Sequence, residues 1–549
     1  MFITRLVIVM LSIASYDFSK RDFSSWELGN EYHAVYILEN GMHAYVGESA
    51  DVRDRAKRHA IDKIKKQHKL KNMHVITHED FEETPAKHYE RILIKLMRAD
   101  SKFTILNIND GQTKIHYKRK NKFELDFDKF WPTLVEKNLV NKKDFYLIMN
   151  SNNYKYSPYT SISSEQKQAL NAIVRTLITE QASADKTRNE KKPILVNGDA
   201  GTGKTVVATC LFYHLKLDKN FQGKKIALVI PNPSMRHEIQ EVFKTVKGLS
   251  KKDVKAPTDI TRDNYDIVIC DEAHKLRNIK NQFTYTRNFK DACERIGLDY
   301  TSCDELDWIF KKSESLVLFY DNKQSVSPSE LDTEYFEKRI DETYKGVRLI
   351  ELKGQRRVKA GRSYTPYIYD VLYQKAKQKK PFNNYEFFLF SSFAEMHNNL
   401  FKKNIKFGLS RLCTCYPWEH ISKKDDSLFD INIEGIPIKW NKKTAGWLSS
   451  SEHEKEMGSI YALAGLDLNY AGVVIGPDLY FDKQDNKIKV NVDNFFDNKV
   501  KKGVDIEVVN KYVLNTYAIL LTRAIEGTYV YVWDNDLKEY LSKFIDDIS

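Results

Sequence analysis

Residues 194–211 read ILVNGDAGTGKTVVATCL, and this stretch decides the fold of the chain. A short apolar run from Ile194 to Val196 leads into a glycine-rich turn, and an apolar run of helical character follows. Strand, turn and helix in this order are typical of a phosphate-binding loop. Gly198, Gly201 and Gly203 let successive backbone N–H groups converge on phosphate oxygens, and the start of the helix adds partial positive charge.

Two side chains that close this turn predict the ligand. Lys204 is expected to reach the β- and γ-phosphates of a nucleotide, and the Thr205 hydroxyl is expected to hold Mg²⁺. We therefore expect the chain to bind a nucleoside triphosphate, with ATP and Mg²⁺ as its cofactors.

The composition is that of a globular protein with a polyanionic partner. The chain has 549 residues, of which 42% are hydrophobic and 30% charged, and at about 150 residues per domain this length predicts three or four domains. Lys and Arg number 87 against 75 Asp and Glu, a formal net charge of +12 that favours a nucleic-acid partner. The six cysteines are scattered and do not form a disulfide framework.

The N-terminal extension, residues 1–29, contains an apolar stretch at residues 6–14 that imitates a secretory signal. It is too short to span a bilayer. Because ATP is an intracellular compound, we interpret the stretch as a buried strand or helix. We expect a cytoplasmic protein without a membrane partner.

A β-hairpin is predicted next, because two short apolar runs at residues 34–38 and 43–49 flank a tight turn at Asn40-Gly41. Strand alternation allows Tyr36 and Tyr45 to project from one surface of this hairpin. A helical pattern follows over residues 51–59, and a second one over residues 88–96. Arg55 and His59 are four residues apart on the first, so they share a helix face and can converge on one phosphate. The second carries one well-placed acid, Glu90.

This module, residues 30–112, resembles the GIY-YIG endonuclease family. The family's two triplets appear here as Ala34-Val35-Tyr36 and Tyr45-Val46-Gly47. The positions that match its later arginine, histidine, glutamate and asparagine are Arg55, His59, Glu90 and Asn107. The resemblance implies a small α+β nuclease domain that hydrolyses phosphodiesters with one divalent metal.

The implied mechanism assigns a role to each group. Tyr36 or Tyr45 would deprotonate or position the attacking water, and Arg55 would neutralise charge on the phosphoryl oxygens. Glu90 would anchor Mg²⁺. An inactive nuclease fold is the alternative. The basic stretch from residue 53 to residue 71 is expected to follow a nucleic-acid backbone.

A connector is predicted at residues 113–155. Its basic part, residues 116–122, lacks periodic apolar residues and marks a domain boundary. The aromatic-rich part, residues 123–147, predicts small helices that pack on one of the larger modules.

A second half of the nucleotide site follows the apolar strand predicted at residues 265–270. Asp271 would hold Mg²⁺ through water, and Glu272 would polarise the attacking water. Adjacent residues on a strand point to opposite faces, so both acids are expected just past the strand end.

Four further residues complete this predicted site. Gln166 is placed to read adenine, with helix capping as the alternative. Gln324, after a third buried strand at residues 315–320, would sense the γ-phosphate. Arg357 and Arg523 would stabilise the transferring phosphoryl group from a second lobe. We predict that the apolar run before Arg523, which begins at Asn515, is strand-like.

The ordered series over residues 156–549 resembles the superfamily 1 helicases, most closely the DNA/RNA helicase domain related to the Schlafen group. Arg357 and Arg523 match its motif IV and motif VI arginines, and residues 458–470 match its motif V, where Asp467 would contact the ribose. The resemblance implies two RecA-like parallel-sheet lobes, residues 156–345 and 346–549. ATP would bind between them, and a single nucleic-acid strand would lie across them.

The sequence therefore predicts an α/β protein: an ATP-dependent translocase or helicase, acting on DNA in preference to RNA, joined to a GIY-YIG-like endonuclease. By analogy such a fusion serves DNA restriction, repair or defence against invading DNA. The alternatives are a processing nuclease that ATP switches without unwinding, and a nucleic-acid sensor with a vestigial nuclease.

Overall fold

The computed structural model describes most of the chain. The described residues are 11–26, 33–107, 120–142, 148–149, 151–158, 160, 162–182, 192–246, 248–279, 286–321, 324, 327, 329–331, 333–344, 346–354, 358–444, 446–449, 454–463, 465–501 and 504–548. They form two compact units, unit 1 within residues 1–161 and unit 2 within residues 162–549.

Unit 1 is a mixed five-stranded sheet with helices. The sheet has the order β1-β4-β2-β3-β5, and its neighbours are antiparallel except for the parallel pair β3 and β5. The strands are β1 (Ser12–Asp17), β2 (Ala34–Glu39), β3 (His43–Ser49), β4 (Asn72–Thr77) and β5 (Thr104–Ile105). The helices are α1 (Val52–Ile61), α2 (Lys63–Gln67), α3 (Glu83–Asp100), α4 (Lys120–Glu136) and α5 (Asn152–Lys155).

The predicted hairpin is confirmed as the pair β2 and β3. Gly41 has φ +87°, a value that suits glycine, and the Asn40 side chain accepts hydrogen bonds from the backbone N–H groups of Met42 and His43. The register sets Tyr36 opposite Gly47 and Leu38 opposite Tyr45. Directly opposed residues point to the same face, so both tyrosines lie on one surface, as predicted.

Of the apolar N-terminal stretch, residues 6–10 lie outside the described part of the chain, and residues 12–14 belong to β1. The prediction of a buried element is wrong for this described part, because β1 is the edge strand of its sheet and most of its side chains are exposed or half-buried. Among the described residues no helix combines the length and the apolar character needed to cross a membrane.

The aromatic connector folds into unit 1. It forms one long helix, α4, rather than several small helices, and Phe127 and Trp131 on this helix are buried. Phe127 packs edge-on against Tyr89 of α3, with ring centroids 5.3 Å apart. The connector therefore completes the core of unit 1.

Unit 2 is a mixed α/β structure with two large sheets. Lobe 1 denotes its residues 162–354 and lobe 2 its residues 358–548. The sheet of lobe 1 is parallel throughout, with the order β11-β6-β10-β9-β7-β8. Its strands are β6 (Ile194–Gly198), β7 (Ile226–Val229), β8 (Val254–Lys255), β9 (Tyr265–Cys270), β10 (Ser313–Tyr320) and β11 (Arg348–Leu352). β11 lies beyond the predicted lobe limit at residue 345, yet it pairs with β6.

The sheet of lobe 2 has the order β14-β15-β16-β13-β17-β20-β12-β21 and is parallel except for the pair β14 and β15. Its strands are β12 (Glu386–Phe390), β13 (Ser410–Thr414), β14 (Ile431–Ile433), β15 (Ile436–Trp440), β16 (Glu456–Ser459), β17 (Leu468–Ile475), β20 (Ala524–Val532) and β21 (Asp546–Ile548). A separate hairpin joins β18 (Leu479–Asp482) to β19 (Lys487–Val490).

Helices accompany both sheets. Those of lobe 1 are α6 (Ser164–Ala182), α7 (Lys204–Leu217), α8 (Pro233–Lys244), α9 (Pro257–Ile260), α10 (Thr286–Ile296), α11 (Glu305–Lys311) and α12 (Thr333–Tyr344). Those of lobe 2 are α13 (Tyr364–Leu372), α14 (Phe393–Phe407), α15 (Ile460–Leu463), α16 (Asn498–Lys501), α17 (Ile506–Leu521) and α18 (Asn535–Ser542). Strands that alternate with helices are typical of parallel sheets.

The apolar run that begins at Asn515 is helical, so its prediction as a strand is wrong. It belongs to α17. The first buried side chains of this helix recur at helical spacing, but the run of residues 516–521 is buried throughout. The continuous apolar character of residues 517–521 comes from burial on several sides of the helix, and a buried helix and a buried strand look alike over so few residues. The strand, β20, begins only after Arg523.

Candidate functional site

The parallel sheet of lobe 1 brings three loops to one edge. The phosphate loop follows β6, the acid pair follows β9, and Asp321 follows β10. β6, β10 and β9 are neighbours in the sheet, and the carboxyl ends of parallel strands meet at the same edge. The predicted nucleotide-binding groups are therefore brought together by the topology of lobe 1.

The phosphate loop has the backbone that its glycines predict. Gly201 and Gly203 have φ of +82° and +83°, and α7 begins at the next residue, Lys204. A Cβ on Gly203 would lie 2.3 Å from Nε2 of Gln166, and a Cβ on Gly198 would lie 2.7 Å from the Thr202 hydroxyl. Both the conformation and the space at Gly203 therefore require glycine.

Lys204 is held in a buried ion pair. Its Nζ donates to the Gly198 carbonyl at 2.6 Å and to the Asp199 carbonyl at 3.2 Å, and it lies 3.0 Å from Asp321 Oδ2. Burial alone would raise the pKa of Asp321, but the Lys204 charge holds that pKa below its ordinary value. Asp321 is thus the carboxylate partner of the lysine that was predicted to bind phosphate.

The acid pair lies just past the end of β9, as predicted. Asp271 is fully buried, and neither of its carboxylate oxygens accepts a hydrogen bond from the described residues. Burial, followed by the Glu272 charge, raises the pKa of Asp271 to about 7. Glu272 has φ +54°, a strained conformation for a side-chain-bearing residue that is typical of functional sites.

His274 accompanies the acid pair from the same turn. Its Nε2 lies 3.2 Å from Glu272 Oε2, and its ring is fully buried. Burial acts to raise the pKa of Glu272, but the positive charges of His274 and Lys204 outweigh burial and lower that pKa. Glu272 is therefore the ionised member of the pair.

These residues fit a magnesium ion. The donor set is oxygen-rich, with the Asp271 carboxylate just past β9 and the Thr205 hydroxyl in the first turn of α7. The carboxylate oxygens of Asp271 are buried and lack partners among the described residues, which a cation would relieve.

Gln324 joins the two lobes. It is buried, its Nε2 donates to Asp321 Oδ2, and its Oε1 accepts from Nη2 of Arg523 at 3.3 Å. Its backbone carbonyl accepts from the Lys275 ammonium, which also lies 3.1 Å from Glu330 Oε2.

A cleft lies between the two lobes at this point. Arg523 is only 2% exposed and lies just before β20 of lobe 2. The residues that line the cleft are Asp199, Ala200, Asp321, Gln324, Thr365, Tyr369, Ile519, Thr522 and Arg523. Asp467 lies just before β17 and does not line it, and Arg357 lies outside the described residues.

Gln166 caps α6 and braces the phosphate loop. The Ser163 N–H donates to its Oε1 at 2.9 Å, while its own N–H donates to the Ser163 hydroxyl at 3.1 Å, which is a capping box. Its Nε2 donates to the Thr202 carbonyl at 2.8 Å. The capping alternative for this residue is the arrangement seen in the structure.

Unit 1 brings four of the six residues of its predicted site into one cluster. Tyr36 is buried, its hydroxyl lies 2.7 Å from Nε2 of His59, and Nε of Arg55 donates to that hydroxyl at 3.2 Å. The Tyr45 ring lies 6.4 Å from Tyr36 and 5.2 Å from His59, between centroids. A Cβ on Gly47 would lie 2.2 Å from the Tyr36 hydroxyl, so glycine leaves room for that group.

Burial and the neighbouring positive charges keep His59 neutral. Burial, followed by the charges of Lys65 and Arg55, lowers the pKa of His59 to about 3. Burial also raises the pKa of Tyr36 above its usual value. At neutral pH a protonated tyrosine hydroxyl therefore meets a neutral imidazole, whose free ring nitrogen can accept a hydrogen bond from it.

Glu90 lies half-buried on α3, near Arg55 and Glu48. Burial, followed by the Glu48 charge, raises the pKa of Glu90 to about 7, against the opposing Arg55 charge. No group of three or more His, Cys, Asp or Glu side chains with metal-binding geometry occurs in the described part of the chain. Glu90 fits a site with one protein carboxylate and water as further ligands.

Asn107 supports the backbone of β3. Its Nδ2 donates to the Val46 carbonyl at 2.7 Å, and its Oδ1 accepts from the Val46 N–H at 3.0 Å. This pair of bonds fixes the strand that carries Tyr45.

Three residues of these sites were missed in the sequence. Asp321 directly follows a buried strand, and the position of an acid at that edge of a parallel sheet was the signal that could have found it. His274 is two residues from Glu272, but no sequence pattern indicates its contact with that acid. Lys65 is one of many cations in a basic stretch, so its burial was not predictable from composition.

Unit 2 matches a described family. A family model for the Schlafen group 3 DNA/RNA helicase domain matches residues 191–534. An uncharacterized protein of Saccharomyces cerevisiae is 24% identical over an aligned length of 429 residues, and the match covers 69% of this chain and 90% of that protein.

Solved helicase structures are similar only at low TM-scores. Pif1 helicase from Candida albicans is 12% identical with a TM-score of 0.22, over 45% of this chain and 54% of its own. An arterivirus nonstructural protein 10 helicase is 12% identical with a TM-score of 0.28, over 68% of this chain and 64% of its own. Each match covers less than two thirds of the solved chain, and TM-scores of this size do not establish a common fold.

Proposed function

Because the chain belongs to the Schlafen group 3 DNA/RNA helicase domain family, we propose that unit 2 is an ATP-driven nucleic-acid translocase or helicase. One observation carries the proposal. Arg523 of lobe 2 reaches Gln324, which binds the same Asp321 carboxylate that holds Lys204 of the phosphate loop. A nucleotide beside Lys204 would therefore be sensed by both lobes.

The residues at the carboxyl edge of the lobe 1 sheet, together with Arg523, divide the chemistry of ATP hydrolysis among them. Lys204 would bind the β- and γ-phosphates. Thr205 and Asp271 would hold Mg²⁺, which neutralises phosphate charge when bound. Ionised Glu272 would orient the attacking water and accept its proton, and Arg523 would stabilise the charge that develops on the phosphoryl group.

Three further roles stay predictions. To read adenine, the Gln166 side chain would have to break its hydrogen bond to the Ser163 N–H or its hydrogen bond to the Thr202 carbonyl. Asp467, the predicted ribose ligand, is not among the residues that line the cleft between the lobes. Arg357 as a second arginine of the transition state lies outside the described residues.

We further propose that unit 1 is a metal-dependent phosphodiesterase of the GIY-YIG type, with DNA as its preferred substrate. The hydrogen-bonded group of Tyr36, His59 and Arg55 supports this proposal. Tyr36, held by His59 and Arg55, would position the attacking water with its hydroxyl oxygen. Arg55 would neutralise phosphoryl charge, and Glu90 would anchor Mg²⁺.

ATP hydrolysis tests the motor. We expect the parent chain to hydrolyse ATP faster when single-stranded DNA is added, and Lys204→Ala to abolish that stimulation. A fluorescent forked duplex reports unwinding in the same reactions. Stimulated hydrolysis without strand displacement would favour the ATP-switched alternative, and no change in Lys204→Ala would contradict the proposed ATP site.

Cleavage of labelled single-stranded, duplex and forked DNA and RNA in Mg²⁺ tests the nuclease. Glu90→Gln should abolish cleavage, whereas Glu83→Gln, at an exposed acid on the same helix, should leave it unchanged. Chelation of Mg²⁺ should also abolish it. Cleavage that survives in Glu90→Gln, or no cleavage by the parent chain, would contradict the assignment.

A further inference from the structure

The phosphodiester site of unit 1 contains a cation that its predicted residues do not include. Lys65, on α2, places its Nζ 4.0 Å from the centroid of the Tyr45 ring. Its side chain is only 11% exposed, whereas the other two lysines of this helix, Lys63 and Lys66, are exposed. Of the three lysines of α2, Lys65 is therefore the one that packs against the Tyr45 ring.

Lys65 and Arg55 bring like charges to the same cluster. Each lowers the pKa of His59, after burial. Burial also lowers the pKa of Lys65, against the opposing charge of Asp62 and with a smaller contribution from the charge of Arg55. The acid beside Lys65 among the described residues is Asp62, whose Oδ2 lies 3.9 Å from Nζ and whose side chain is 39% exposed. That distance is longer than a hydrogen bond, so the donors of the ammonium remain available to a ligand.

A buried or half-buried cation needs an anionic partner. Glu90 of α3 is the proposed metal ligand and therefore does not neutralise Lys65. A phosphate oxygen is the anion that a phosphodiesterase site must receive, and Lys binds phosphate as a compact point charge with three donors. The Tyr45 ring supports the ammonium without occupying those donors.

We propose that Lys65 is a second phosphate-binding cation of this site and holds a phosphodiester group of the nucleic-acid strand beside Tyr45. The inference rests on the proposed phosphodiesterase function of unit 1. Nε of Arg55 donates to the Tyr36 hydroxyl, and the Lys65 ammonium lies over the Tyr45 ring. Lys65 contacts the backbone of the substrate and contributes no sequence preference.

Cleavage kinetics of the full chain in Mg²⁺ provide the first test. Lys65→Met keeps an apolar stem on the Tyr45 ring but removes the charge, so kcat/KM should fall at least about tenfold, the value of a charge-assisted hydrogen bond. Lys65→Arg should recover most of this loss. Lys66→Met, on the same helix, should remain within about twofold of the parent. Equal kinetics for Lys65→Met and Lys66→Met would overturn the proposal.

A residue-specific footprint separates this proposal from the function on which it rests. The Glu90→Gln chain is incubated with a short single-stranded or duplex DNA, and lysines are labelled by reductive methylation and read by peptide mass spectrometry. We expect bound DNA to slow the labelling of Lys65 severalfold.

The outcomes are distinct. If the parent chain cleaves none of the labelled nucleic acids, the proposed phosphodiesterase function fails. The footprint alone then tests whether Lys65 binds the nucleic-acid backbone. Protection of Lys65 supports an anion site there, whereas unchanged labelling in the presence of bound DNA overturns it. A melting temperature of Lys65→Met close to that of the parent shows that lost activity is not lost folding.

Discussion

Replacing Asp321 with asparagine tests the buried ion pair at the nucleotide site. Lys204 Nζ lies 3.0 Å from Asp321 Oδ2, and the two side chains are 4% and 1% exposed. When one partner of such a pair is removed, the other is left as an uncompensated buried charge, which costs about 3–5 kcal/mol. We expect Asp321→Asn to lower the free energy of unfolding in urea by about that amount.

Nucleotide should reverse part of this loss. In the proposed function a phosphate takes the place of the Asp321 carboxylate beside Lys204. A ligand that binds only the folded chain stabilises it, and a variant whose lysine lacks a competing carboxylate should bind that ligand more tightly. Asp321→Asn should therefore unfold more easily without a non-hydrolysable ATP analogue, yet bind the analogue more tightly than the parent in calorimetric titration.

The double variant Lys204→Met, Asp321→Leu is the matched control. It removes both charges, and replacing a buried pair with apolar residues is often neutral or stabilising by about 1–4 kcal/mol. A loss below about 1 kcal/mol in Asp321→Asn would refute the reasoning about the pair. Equal losses with and without the analogue would refute the exchange of carboxylate for phosphate.

Three other perturbations have defined outcomes. Arg523→Ala should lower the kcat of nucleic-acid-stimulated ATP hydrolysis by about 10³-fold or more, whereas Arg362→Ala, at an exposed arginine of lobe 2, should not. Gly203→Ala should abolish binding of the ATP analogue while the chain remains folded, and adding Gln166→Ala should restore only part of it, because the clash is relieved but the positive φ remains. The pKa of His59 is lowered to about 3, so between pH about 6.5 and about 3 the unfolded state takes up a proton that the folded state does not. As the pH is lowered through this range, the free energy of unfolding should fall by up to about 1.4 kcal/mol per pH unit. Urea unfolding of His59→Phe should show a weaker loss at acid pH than the parent.

The sequence predicts those parts of the fold in which local chemistry and position agree. The turn at Asn40-Gly41 is specified by two residues and the alternation around it, and the phosphate loop by glycines at fixed spacing. The acid pair is also local, because two acids directly after an apolar strand, in a chain that has a phosphate loop, are typical of a magnesium–nucleotide site. For each of these, the structure supplies the distances between atoms, and the elements follow one another in the predicted order.

Other parts depend on contacts that no local pattern encodes. The helix that precedes Arg523 is buried on several sides, so its apolar residues lose the periodicity that distinguishes a helix from a strand. Asp321 meets Lys204 across a separation of 117 residues, and only the strand order brings the two together. Lys65 resembles its exposed neighbours in sequence, and its difference from them arises when α2 packs beside the hairpin that carries Tyr45.

Gln324 links the two lobes of unit 2, and its hydrogen bonds suggest how nucleotide binding and nucleic-acid binding are coupled. Asp321 is shared between Lys204 of the phosphate loop and Gln324, and Gln324 is shared between Asp321 and Arg523 of lobe 2. A phosphate that draws Lys204 away from Asp321 therefore leaves Gln324 as a main partner of that carboxylate, and this changes the bond that Gln324 offers to Arg523. Because such coupling is reciprocal, a nucleic-acid strand that shifts lobe 2 must alter nucleotide affinity by the same factor by which nucleotide alters strand affinity. Gln324→Ala should bring both of these factors towards unity at once, whereas a defect confined to ATP binding would lower one affinity and leave the coupling intact.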